Sequence, residues 1–125
     1  MQLHHLALGA KDVEKVAEFY RVFFKLPETR RHTDEHGLRS IWLKLESGVV
    51  MVERIDEPRQ SNARMRPGLF LIAFQCTKEE RDALERVLTA NGHPIEERTD
   101  FTSYVRDPEG NRVALSNYAL SSNEP

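Results

Sequence analysis

Apolar and polar positions along this chain spell the order strand, helix, strand, strand, strand, and they spell it twice. From Leu3 to Leu8 the residues alternate, with Leu3, His5 and Ala7 on one face of a strand and His4, Leu6 and Leu8 on the other. Asp12 stands where a helix cap belongs, and Val13, Val16, Ala17, Tyr20, Phe23 and Phe24 follow at helical spacing, so one face of that helix is buried. A sheet touched by Leu6 and Leu8 supplies the burying surface and leaves His5 on the opposite side. Pro27 stops the helix. A polar strand over 29–33, a turn at Asp34-Glu35-His36-Gly37 and a strand over 38–45 come next; in the last, Ile41, Leu43 and Leu45 alternate with Ser40, Trp42 and Lys44. Glu46-Ser47-Gly48 then turns the chain into a β-branched strand over 49–54 that ends on Glu53 and Arg54.

Residues 56–67 are rich in proline, arginine, asparagine and serine and read as a connector. An apolar strand over 69–76 follows, and Thr77 with Glu80 offers a capping box. Ala83, Leu84, Val87 and Leu88 form the expected buried stripe of the second helix, which Asn91-Gly92 ends before Pro94. Strands are expected over 95–98, 102–106 and 112–117, with Asp107-Pro108-Glu109-Gly110 as the turn between the last two. The halves match: Leu6 corresponds to Ile72 at an offset of 66, the caps Asp12 and Thr77 at 65, and Gly48 and Gly110 at 62. The expected fold is α+β, a single domain of two βαβββ modules over 1–56 and 67–120, joined by a linker over 57–66 and followed by a tail over 121–125. Each sheet carries one helix on its back, so pairing the opposite faces makes a cleft lined by mixed β-sheet, with His5 pointing into it.

At 125 residues the chain is long enough to bury a core without disulfides. Its 18 basic and 20 acidic residues are interleaved, and no sustained basic face for nucleic acid stands out. Cys76 is the single cysteine, so an internal disulfide is excluded and a reducing, cytoplasmic address is expected. No charged stretch followed by a long apolar one opens the sequence, and no membrane partner is expected.

The pieces His5-Leu6-Ala7-Leu8 with Asp12, Glu18-Phe19-Tyr20, Pro67-Gly68-Leu69 and, most specifically, 104–112 with its Asp107-Pro108-Glu109-Gly110-Asn111-Arg112 run resemble the vicinal oxygen chelate superfamily. That family includes lactoylglutathione lyase, extradiol dioxygenases, methylmalonyl-CoA epimerase, fosfomycin resistance enzymes and the bleomycin resistance protein. The resemblance implies metal ligands at one point on the first and last strand of each module. His5 stands at the first position. Glu53 is the candidate for the second, but it lies five residues after Gly48, whereas the matching position of the other module lies four after Gly110. A one-residue difference in the hairpin is needed to bring it to the right face. The remaining positions look like Leu71 and Ala114, neither of which binds a metal.

A catalytic divalent site usually has about three protein ligands. The expectation is therefore a protein that holds a small organic ligand in its cleft without the family metal, as the bleomycin resistance protein does, through His5, Trp42, Tyr104, Arg112 and Ser116. The alternative is a lyase, isomerase or dioxygenase of the lactoylglutathione lyase type. It binds Zn, Ni, Mn or Fe through His5 and Glu53, with Glu53 moving the proton. A third reading is a protein-interaction module using the arginine-rich 59–66 stretch and Trp42. A homodimer is expected under all three. Plainer roles stand beside these: a hydrogen-bonded His5, a solvated strand end at Glu53, turn residues at His32 and His36, an inert Cys76 and a cross-strand ion pair at Arg112.

Overall fold

The computed structural model describes residues 2–55 and 69–119. The connector over 57–66 with its arginines, the Pro67-Gly68 pair and the tail over 121–125 lie outside the described residues. Among the described residues, 2–55 with 108–110 form one compact unit, and 69–107 with 111–119 form the other. The first contains β1 (His5–Ala10), α1 (Val13–Phe24), β2 (Glu28–Asp34), β3 (Gly37–Lys44) and β4 (Val49–Arg54). The second contains β5 (Ile72–Gln75), α2 (Lys78–Ala90), β6 (Glu97–Arg98), β7 (Thr102–Arg106) and β8 (Arg112–Ser116). Each βαβββ unit folds into a four-stranded mixed sheet, in the orders β1-β4-β3-β2 and β5-β8-β7-β6. In each, the first strand runs parallel to the last and the other neighbours are antiparallel. This is the α+β architecture that the duplicated pattern predicts.

In the first unit, alternation decides what is buried. Leu8 and Ala10 of β1, Ile41 and Leu43 of β3 and Val50 and Val52 of β4 turn to one side and are buried, together with Val13, Val16, Ala17, Phe19 and Tyr20 of α1. Burying each of the larger side chains contributes about 1.5–3 kcal/mol, which makes this stripe the main hold on the helix. Asp12 caps α1 as expected, its carboxylate accepting from the Lys15 amide at 3.0 Å. The helix ends at Lys25, which adopts a left-handed φ of 58° and donates its N–H to the Tyr20 carbonyl. β1 begins two residues later than the alternation predicts and runs on to Ala10, because Gly9 and Ala10 continue the pairing with Glu53 and Arg54. The parity of its faces is unchanged.

The second unit has the same frame but a different hold. Its capping box is complete: Thr77 Oγ1 accepts from the Glu80 amide at 3.1 Å and Glu80 accepts from the Thr77 amide at 2.8 Å. The expected stripe is rotated, however. Leu88 is buried, Leu84 is half-buried, and Ala83 and Val87 are exposed, while the buried side chain on the inner face two turns before Leu88 is Arg81. Arg81 is only 4% exposed and donates to Ser103 Oγ (2.6 Å), the Thr99 carbonyl (3.0 Å), the Asp100 carbonyl (3.0 Å) and Asn117 Oδ1 (3.1 Å). These acceptors satisfy an arginine that is otherwise expensive to bury, and so set which side of α2 faces the sheet.

Candidate functional site

The sequence candidates Trp42, Tyr104, Arg112 and Ser116 lie on the sheet faces turned away from the helices. On the first sheet the register pairs His5 with Val49, Ala7 with Met51 and Gly9 with Glu53, and across β3 it pairs Trp42 with Met51 and Ser40 with Glu53. Paired residues share a face, so His5, Met51, Glu53, Ser40, Trp42 and Lys44 all lie on the helix-free side. β2 adds Arg30 opposite Trp42 and His32 opposite Ser40. Trp42 is the centre of this group. Its Nε1 donates to Ser40 Oγ at 3.0 Å, the His32 ring lies 5.3 Å from it, and the Arg30 guanidinium carbon stands 5.1 Å from its ring centroid. His5 is exposed at the start of β1, with its Nδ1 2.9 Å from Nδ1 of His4.

On the second sheet, Tyr104 pairs with Ala114 and Ala73 with Ala114, which puts Thr102, Tyr104, Arg106, Arg112, Ala114 and Ser116 on the helix-free side. Arg112 carries most of the interactions there. Its guanidinium carbon lies 4.2 Å from the Tyr104 ring centroid and 5.0 Å from that of Phe70, and its Nη2 donates to Glu97 Oε2 at 2.7 Å. Both aromatic faces are attractive to a cation and hold the guanidinium plane still. Ser116 and Thr102 share a hydroxyl hydrogen bond of 2.9 Å, and Arg106 donates to Glu96 at 2.8 Å. The Asp107-Pro108-Glu109-Gly110-Asn111 turn is structural: the Asp107 carboxylate accepts from the amide and the side chain of Asn111, both at 2.9 Å.

The register also says which residues occupy the four ligand positions. The offset of 66 matches His5 with Leu71 and Ala7 with Ala73, and Ala7 pairs with Met51 just as Ala73 pairs with Ala114. The four positions therefore hold an imidazole, a thioether, an isobutyl and a methyl group. Glu53 faces the same way as His5, so the hairpin does not turn it to the wrong side, but it sits one strand pair beyond Met51. His5 and Glu53 are four residues apart along paired strands, about 13 Å at the usual rise. One imidazole and a soft thioether do not fit a hard or borderline divalent ion that needs about three donors. Among the described residues no group of three or more His, Cys, Asp or Glu is placed to hold a metal.

Other sequence candidates sit elsewhere. His36 is exposed in the β2–β3 turn, where its amide donates to Asp34 Oδ1 at 2.8 Å. Cys76 is half-buried, and burial pushes its thiol up, away from reactivity. Arg30, Phe70 and Glu97 were not among the residues that the sequence marks out. Parity in the polar strand over 29–33 points to Arg30, whereas Phe70 and Glu97 are recognisable only through their contact with Arg112.

The structure resembles several solved proteins. FosX, a genomically encoded fosfomycin resistance protein from Listeria monocytogenes, solved as an E126Q mutant with Mn(II) and 1S,2S-dihydroxypropylphosphonic acid, gives a TM-score of 0.77 at 22% identity, covering 94% of this chain and 93% of that one. Lactoylglutathione lyase from Agrobacterium tumefaciens gives 0.68 at 23% identity, covering 91% of each chain. FosX from Mesorhizobium loti gives 0.74 at 15% identity over 94% of this chain and 92% of that one. At such identities the likeness is one of fold. No curated protein matches the chain. No helix among the described residues is long and apolar enough to cross a membrane. Residues 2–115 match the model of the Glyoxalase/Bleomycin resistance protein/Dioxygenase superfamily, and the chain belongs to that superfamily.

Proposed function

We propose that this chain is a ligand-binding member of its superfamily, holding a small organic molecule on the helix-free side of its sheets without a divalent ion to polarise it. The observation that supports this reading is the donor set: Met51, Leu71 and Ala114 accompany His5 where the resemblance implies metal ligands. A binding site needs instead an apolar surface with a few fixed polar groups. Trp42 with Ser40, His32 and Arg30, and Tyr104 with Arg112, Thr102 and Ser116, have that character. In this reading the protein works as a cytoplasmic homodimer.

The decisive experiment is elemental analysis of tag-free protein, purified without chelator and measured again after loading with manganese, iron, nickel or zinc. The expected result is no stoichiometric ion, together with quenching of Trp42 fluorescence by members of an organic ligand library; Trp42 is the chain's one tryptophan. A stoichiometric ion lost in His5→Ala overturns the proposal. It favours the metal-dependent lyase, isomerase or dioxygenase, for which His5 stands at the one intact ligand position.

A further inference from the structure

We infer that Arg112 is an anion anchor, and that the ligand it receives carries a carboxylate or a phosphate-type group. The inference rests on the proposal of a ligand-binding protein and narrows its ligand class. The first observation is an incomplete fork. A guanidinium binds a carboxylate best through two parallel N–H donors, and the edge formed by Nε and Nη2 is one of its two-donor edges. Arg31 shows the full arrangement in the same chain, with Nε donating to Glu28 Oε2 at 3.1 Å and Nη2 to Glu28 Oε1 at 2.9 Å. Arg112 uses the same edge only halfway. Its Nη2 reaches Glu97, while its Nε is buried with no hydrogen-bond partner among the described residues. A buried donor left unmade is costly, and an oxyanion that displaces the exposed Glu97 carboxylate and brings two adjacent acceptor oxygens to this edge removes that cost.

The second observation is the asymmetry of the existing pair. The Arg112 side chain is 16% exposed and fixed between Tyr104 and Phe70, whereas that of Glu97 is 61% exposed. A carboxylate so open to water contributes little to the pair and leaves easily. The cation is pre-oriented and its counter-ion is not. Glu97 thus acts as a stand-in that occupies half of the fork until a ligand anion takes both donors. Tyr104 and Phe70 flank the same guanidinium, so a ligand that joins an aromatic or planar body to its anion suits the place.

The test uses the full chain with benzoate and phenylphosphonate as probes and benzyl alcohol as the uncharged control, followed by calorimetry and by the ¹⁵N–¹H resonance of the Arg112 Nε–H. Saturable binding of either anion, a shift of that resonance and no binding of benzyl alcohol are expected; which anion binds more tightly decides between carboxylate and phosphonate. Arg112→Lys keeps the charge but loses the fork, and weakens binding roughly tenfold or more. Glu97→Gln removes the competitor at an exposed position and tightens binding severalfold, a gain that a merely structural ion pair does not give. Unchanged affinity in Glu97→Gln, or equal affinity in Arg112→Lys, overturns the assignment. Uncharged ligands that bind with the Arg112 resonance unmoved overturn it too, yet leave the proposal of a metal-free binding protein standing. A stoichiometric metal with no organic ligand sinks that proposal instead.

Discussion

Lys25 is the one non-glycine residue among those described with a positive φ, 58°, and it pays for the turn out of α1 with a conformation that its Cβ disfavours. Lys25→Gly should therefore raise stability by about 1 kcal/mol, measured by urea denaturation. Gly48 is the converse case. Its φ is 99°, and a Cβ there lies 2.6 Å from the Leu3 carbonyl oxygen and 2.7 Å from that of His4. Those are backbone atoms that cannot swing aside, so Gly48→Ala should cost about 2 kcal/mol or more and be seen as a lowered urea midpoint. Arg81→Met should cost about 3 kcal/mol, because it leaves Ser103, Asn117 and the Thr99 and Asp100 carbonyls without their donor. The caps Asp12 and Thr77 were legible in the sequence because a cap works within four residues. Arg81 was not, since its acceptors lie 18 to 36 residues away and an arginine on a helix otherwise reads as solvated.

At the scale of elements, the two helices occupy equivalent places and are held by different forces. The apolar stripe of α1 is insensitive to pH, whereas α2 is tied to its sheet by Arg81, Ser103, Glu85 and Arg98. Burial pushes the Glu85 carboxyl up, but hydrogen bonds from Arg98 and Ser103 and the nearby guanidinium charges outweigh it, so the group titrates below the ordinary glutamate range. Its contribution to stability is complete above that ordinary range and is lost as the pH falls through the depressed value. Urea midpoints measured across acid pH should fall less steeply in Glu85→Gln than in the parent. The register of Glu53 is also a matter of elements. Counting from Gly48 and Gly110 misplaces the matching residues because Lys44 pairs with Val49 across four intervening residues, whereas Arg106 pairs with Arg112 across five. Hairpin length is set by the hydrogen bonds of the turn, and the glycines alone do not report it. The parallel pairing of first and last strand does, and it selects Met51.

For the molecule as a whole, the duplicated order of strands and helices was readable because alternation and helical spacing are local and repeated. The candidate site was readable only in part: the face on which Trp42, Tyr104, Arg112 and Ser116 lie follows from parity, while the contacts of Arg112 and the position of Met51 depend on pairing. Met51→Glu sets a carboxylate on the His5 face, level with Ala7. Nickel titration should show tighter binding than in the parent, and His5→Ala in the same background should abolish the gain. Alternation has one more consequence. Val50 and Val52 are wholly buried on the helix side while Met51 between them faces the other way, and Val105 is wholly buried between Tyr104 and Arg106, which face the other way. Core positions and helix-free positions are thus interleaved along the same strands, editable one set at a time. A chain built on this plan can change the chemistry of one face and keep its shape, and a library confined to the half-exposed helix-free positions alters that face at little loss of foldability.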